Sequence, residues 1–145
     1  MPNLTVNDVA DYLLAQMSEE SGDTISNLKL QKLVYYAQGF YLAAHGKALF
    51  REQIKAWDHG PVVPPLWHRF KEHGNSALPK PDRVSYSRFS KSERDHLDEI
   101  FKLFDQFSAW KLRNMTHKEP PWTDTARNGV ITHAAMKSYF KTMLA

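Results

Sequence analysis

Two short stretches of the chain hold the side chains best suited to chemistry: Trp57-Asp58-His59-Gly60-Pro61 and Thr116-His117-Lys118-Glu119-Pro120-Pro121-Trp122. Brought together, His59, His117 and Glu119 would supply two imidazoles and a carboxylate. Such a set can hold a divalent metal or move protons near neutral pH. One reading is therefore a metal-assisted hydrolase using His59, His117 and Glu119. Other templates fail. His117-Lys118-Glu119-Pro120 has the His-x-Glu order of zinc deaminases, but that chemistry needs a Pro-Cys-x-x-Cys partner and the chain has no cysteine. There is no His-Glu-x-x-His, no Gly-x-Ser-x-Gly and no phosphate-cradling Gly-rich loop. Tyr35-Tyr36 and Phe40-Tyr41 follow a helical pattern, unlike the sheet-borne aromatics that stack on RNA bases. The other reading is a binding surface, because Trp, Tyr and Arg most often carry interface energy. Three of the four Trp stand close to Pro or Gly at turns, where the competing reading for each is core packing.

Both stretches constrain the backbone that carries them. Gly60 can take angles closed to other residues, and Pro61 fixes its own φ while biasing Gly60 away from the right-handed helical region. The expected result is a strand-to-helix corner with Trp57 plugged into the core. Thr116 and Glu119 stand in the capping-box relation, and Pro120-Pro121 follow, so the second stretch reads as a rigid helix start anchored by Trp122.

The element that must position both is a long helix from Ser26, as its cap, to about His45, stopped by Gly46. Leu30, Leu33, Val34, Ala37, Phe40, Tyr41 and Ala44 form one stripe, and Leu28, Tyr35 and Leu42 a second apolar patch. A helix apolar on two sides is normally covered on both, which makes this the core helix. Gly39 inside it costs about 1 kcal/mol relative to Ala and predicts close approach by a neighbour. Gln31 falls between the apolar sectors and needs a partner, whereas Lys29 and Lys32 fall on the polar remainder and should be solvated.

Around that helix the spacing predicts others. Thr5 with Asp8 caps a helix from Val6 to Met17, and a polar loop over Ser18 to Thr24 follows. Pro64-Pro65 open a helix through Leu66, Trp67 and Phe70 that ends at Gly74. Ser90 and Glu93 cap a helix burying Leu97, Ile100, Phe101 and Phe104, with Arg94 and Asp98 paired outside. Ser108 caps Ala109 to Met115, with Trp110 and Leu112 packing, and Thr132 caps a last helix bearing Met136, Tyr139 and Phe140. Ala48-Leu49-Phe50, Gln53 to Trp57 and Arg83 to Ser87 are candidate strands. The expected fold class is mainly α: a compact single-domain helical bundle, residues 1–145, around a central buried helix, with a small β-hairpin or a short two- to three-stranded sheet.

At 145 residues, 42% apolar and 24% charged, the balance is that of a globular chain. No apolar run approaches the ~20 residues that span a bilayer. Met1-Pro2-Asn3-Leu4 lacks the basic start of a signal peptide, and the absence of cysteine fits a reducing compartment, so a cytoplasmic location is expected. The net charge of +3 is spread among acidic residues without a Lys/Arg block, which argues against a dedicated nucleic-acid surface.

Three blocks in order, Leu28-Lys29-Leu30-Gln31-Lys32-Leu33-Val34-Tyr35-Tyr36-Ala37-Gln38-Gly39, Ala56-Trp57-Asp58-His59-Gly60-Pro61-Val62 and Thr116 to Trp122, resemble the Panacea domain. This is the SocA-like antitoxin domain, which includes phage-associated GepA-like proteins. The similarity runs from about Val6 to Phe140. It implies an antitoxin of a toxin–antitoxin system that binds a cognate toxin, encoded by an adjacent gene, with no cofactor and no catalysis. Some SocA-like members are linked instead to delivering the toxin to an ATP-dependent protease. On the matching blocks the candidate partner-binding residues are Gln31, Lys32, Tyr36, Trp57, His59, Pro61, His117, Glu119 and Trp122. If Trp57, His59, His117 and Trp122 form one patch, it belongs at or near the interaction face. In the competing view, the shared motifs preserve the fold while variable surface selects the toxin.

Overall fold

A computed structural model describes residues 2–17 and 24–144. The first helix, α1 (Val6–Ala15), opens with the expected reciprocal cap: Thr5 Oγ1 accepts from the Asp8 amide, and Asp8 Oδ2 accepts from the Thr5 amide at 2.9 Å. It stops at Ala15 rather than Met17, and all but Thr24 of the expected Ser18–Thr24 loop lies outside the described residues.

The central helix is α2 (Asn27–His45), capped by Ser26 and stopped by Gly46 at φ 72°. Nearly every side chain from Leu30 to Ala43 is buried, so the two-sided apolar pattern means what it predicts; only Ala44 of the stripe is exposed. Lys29 and Lys32 depart from expectation, since both are buried rather than solvated. The cause is distant chain. Lys29 Nζ reaches the Asp105 carboxylate at 3.2 Å and its carbonyl at 2.7 Å, and Lys32 is covered by the Gly60 corner. Gly39 is required by a neighbour, as expected: a Cβ there would lie 2.1 Å from Phe140 Cε2. The helix α7 (His133–Lys141), capped by Thr132, lays Phe140 into that gap.

The sheet is antiparallel, in the order β2-β1-β3, with β1 (Ile54–Trp57) between β2 (Gly60–Val62) and β3 (Val130–Ile131). Ala56 faces Pro61 and Ile54 faces Ile131. Arg83–Ser87, expected as a strand, instead leads into a single 3-10 turn at Tyr86–Arg88, and Phe50 makes only an isolated bridge to Leu4. Next come α3 (Pro64–Phe70), with proline in its first turn, and α4 (Lys91–Phe104), whose Ser90–Glu93 capping box is complete. Asp98 does not pair with Arg94. Its Oδ1 accepts from Tyr12 Oη at 2.7 Å and so ties α4 to α1. Ser108 caps α5 (Ala109–Thr116), and α6 (Pro120–Thr123) is a single proline-led turn. No helix among the described residues is long and apolar enough to cross a membrane.

Candidate binding site at the Gly60 corner

The corner joins β1 to β2 and is held from behind by α2. Gly60 has φ 107°, and a Cβ at this position would stand 2.7 Å from Thr116 Oγ1 and 2.8 Å from Lys32 Cε, so glycine is required twice over. Pro61 has no N–H, and its carbonyl accepts from Lys32 Nζ at 3.1 Å. The next amide that needs an acceptor, that of Val63, donates to Gln31 Oε1 at 2.9 Å, while Gln31 Nε2 donates to Asn27 Oδ1 at 2.9 Å. Side chains of α2 thus close the outer edge of β2, which would otherwise invite another strand.

The second motif is built differently from its sequence pattern. Thr116 lies at the end of α5 and its hydroxyl donates to the Arg113 carbonyl at 2.7 Å, so it caps nothing downstream. Glu119 is the backbone N-cap of α6 without a side-chain cap bond. Its carboxylate turns inward instead, where Oε1 accepts from Tyr35 Oη at 2.9 Å and Oε2 from Tyr36 Oη at 2.8 Å. Burial pushes the Glu119 carboxyl up to about 7, against the pull of the two hydroxyl bonds. Burial likewise drives the Tyr35 and Tyr36 phenols upward, with the Glu119 charge adding to it. Lys32, fully buried, is pulled down to about 7 by desolvation and then by the Arg113 charge.

On the outer side the aromatic residues meet. Trp122 Nε1 donates to the Trp57 carbonyl at 2.8 Å, which fixes the second motif to the first. The His117 ring stacks on Trp122 at 4.1 Å and 9°, and the Arg127 guanidinium packs over the same indole at 3.8 Å. His117 Nε2 is buried without a hydrogen-bond partner among the described residues. Desolvation first, then the Arg113 charge, holds that imidazole below its usual range. Trp57 Nε1 donates to Asn128 Oδ1 at 3.2 Å, and its ring meets Trp67 edge-on at 6.2 Å. Arg113 lies over Trp110 at 4.3 Å and donates through Nε to His59 Nδ1 at 3.3 Å. Between these groups opens a pocket of ≈ 400 Å³ lined by Leu28, Trp57, His59, Val62, Trp67 and Arg127, among others.

Of the nine residues singled out as partner contacts, Trp57, His117 and Trp122 are partly exposed and His59 is exposed; Trp57 and His59 line this pocket, and His117 and Trp122 stack beside its Arg127. Gln31, Lys32, Tyr36, Pro61 and Glu119 are buried: Gln31 and Lys32 hold the Pro61 corner from beneath, whereas Tyr36 and Glu119 bond each other between α2 and α6. The metal-assisted arrangement does not assemble. Both Glu119 oxygens face α2 tyrosines, His59 Nδ1 takes a bond from Arg113, and His117 lies flat on an indole. Among the described residues no three His, Asp or Glu side chains are grouped so as to hold a metal ion. Trp67, Trp110, Arg113 and Arg127, which are not among the residues predicted from the sequence, also belong to this face. Trp110, expected in the core, is 57% exposed. The available signal was the Arg three residues after Trp110, since i,i+3 neighbours share a helix face.

The family profile described as "Antitoxin SocA-like, Panacea domain" matches residues 30–123, well over half of the chain. The chain belongs to this family. The Panacea-domain match takes in the Gly60 corner, α5, α6 and all four tryptophans, and it stops short of Arg127 and α7. Antitoxin SocA of Caulobacter vibrioides (strain NA1000 / CB15N) is 30% identical over 123 residues, which cover 77% of this chain and 65% of that protein. The chain therefore spans a little under two thirds of the length of this curated Panacea-domain relative. No solved structure matches it.

Proposed function

We propose that this Panacea-domain protein is an antitoxin that acts in the cytoplasm by gripping a toxin protein, without performing a reaction. The observation that carries the reading is an open pocket lined by Trp57, Trp67, His59 and Arg127, with Arg127 laid over Trp122 and His59 accepting from Arg113, which lies over Trp110. A rimmed aromatic patch of this kind is what interaction surfaces have in common, and Trp and Arg dominate their energetics. The relative bears the name antitoxin, and the family is described by that role. The carboxylate that a hydrolase would need, that of Glu119, is spent on the Tyr35 and Tyr36 hydroxyls. A cognate toxin encoded beside this gene is the partner that the reading requires. The test expresses that neighbouring gene alone and together with this protein. Growth arrest in the first case, growth in the second and co-elution of the two purified proteins are expected. A neighbour that is harmless alone, or one that is still lethal when this protein is abundant, defeats the reading.

A further inference from the structure

The two arginines of the pocket face have no carboxylate among the described residues. Among the described residues, Arg113 bonds only to His59 Nδ1 and to Asn114 Oδ1 at 3.0 Å. Among the same residues Arg127 bonds only to carbonyls, those of Trp122 at 3.5 Å and Thr125 at 3.4 Å. Elsewhere on the surface Arg69 pairs with Asp11 at 2.8 Å and Arg88 with Asp8 at 3.4 Å. Each of the pocket-side guanidiniums rests on an indole, which fixes its plane while leaving N–H groups free to donate. Near Arg113 lie the buried Lys32 and the partly buried His117, whose Nε2 also lacks a partner among the described residues. Asp58 is the one carboxylate among the pocket-lining residues.

From this we infer that the face receives an acidic segment of the partner polypeptide, with carboxylates on Arg113 and Arg127 and an apolar side chain seated in the pocket against Trp57 and Trp67. His59 joins the two halves, because it lines the pocket and also accepts from Arg113. Rigid, planar guanidiniums suit bidentate carboxylates, and holding them in advance lowers the ordering cost of binding. Two arginines beside an apolar pocket with an acidic rim residue fit a peptide better than a nucleic-acid backbone, which asks for a longer run of cations. The inference rests on the antitoxin reading only for who supplies the segment; the chemistry of the face stands by itself.

The probe is the synthetic peptide acetyl-Glu-Asp-Leu-Phe-Asp-Glu-amide, titrated against the full chain while the tryptophan fluorescence and indole N–H resonances are followed. Saturable binding is expected, weakening as salt is added. The expected loss is about tenfold in affinity for Arg113→Glu and again for Arg127→Glu, as for removal of a charge-assisted hydrogen bond, with circular dichroism unchanged. No saturation overturns the inference. So does equal binding of the version with lysine at each acidic position, or tighter binding of a single-stranded DNA oligomer of the same charge. Toxin rescue by the double charge-reversed variant would sink the inference and leave the antitoxin reading intact. Failure of rescue by the wild type would sink that reading while the peptide titration still decides this one.

Discussion

At the scale of single residues, Lys32 holds the corner and Glu119 ties α6 to α2, and burial has displaced the pKa values of these two groups toward each other. Lys32 sits at about 7 instead of 10.5 when folded, and Glu119 at about 7 instead of 4.5. Each displacement is a stability statement. Between pH 4.5 and 7 the folded Glu119 keeps a proton that the unfolded chain has lost, so its contribution is full below 4.5 and is lost as pH rises through 7. Between pH 7 and 10.5 the unfolded Lys32 holds a proton that the folded form lacks, so its contribution is present above 10.5 and is lost as pH falls through 7. Both arms therefore rise away from neutrality, by several kcal/mol at most. His117, whose pKa is lowered, opposes the acid arm, because its contribution is lost as pH falls. Single variants separate these effects. In urea unfolding at a series of pH values, Lys32→Met should flatten the alkaline rise, and Glu119→Gln should flatten the acid one while keeping an acceptor for a tyrosine hydroxyl. Unchanged slopes in both variants would show that neither group titrates with folding.

At the scale of elements, α2 was legible because its apolar residues repeat at helical spacing, and Gly39 announced a close neighbour in advance. The prediction that belongs here is Gly39→Ala. On helix propensity alone it should stabilise by about 1 kcal/mol. The new Cβ would meet the Phe140 ring at 2.1 Å, however, and overpacking of a filled core costs roughly 1–3 kcal/mol or more. Net destabilisation is expected, and Phe140→Leu should recover part of it, with a non-zero coupling energy in a double-mutant cycle. Additive effects would mean that the two residues do not meet. What periodicity could not convey was the fate of polar groups with distant partners. Lys32 pairs with a carbonyl 29 residues away and Glu119 with tyrosines 83 and 84 residues away, so solvation and local capping were the wrong defaults. The third strand, Val130–Ile131, has two residues and is too short to alternate, whereas Arg83 to Ser87 alternates without a partner strand. The site was half legible: the Trp57 and Trp122 motifs pointed to it, but Trp110 and Arg113 looked like ordinary helix residues until α5 was docked.

At the scale of the whole molecule, the proposed binding face is separable from the core on which it is mounted. Lys32, Gly60 and Thr116 meet at one junction, so α2, the sheet corner and α5 move as one piece, and the indoles on the outside inherit that rigidity. Trp110 and Leu112 lie two positions apart on α5 and point to opposite fates: the first is 57% exposed, the second fully buried. Trp110→Ala should leave unfolding within about 0.5 kcal/mol of wild type, because it removes surface that packing does not use. It should nevertheless weaken toxin binding by at least about tenfold, the loss typical of an exposed aromatic anchor. Leu112→Ala should cost about 2–5 kcal/mol through the cavity it leaves. Its folded fraction, measured in the cold, should still bind the toxin at wild-type strength. In cells both variants would fail to rescue growth, for opposite reasons: one is abundant and does not bind, whereas the other binds and does not accumulate. Protein levels and the affinity of purified material distinguish them. If Trp110→Ala accumulates normally and rescues fully, the aromatic face is not where the toxin is held. The grip must then lie on surface outside the Gly60 corner.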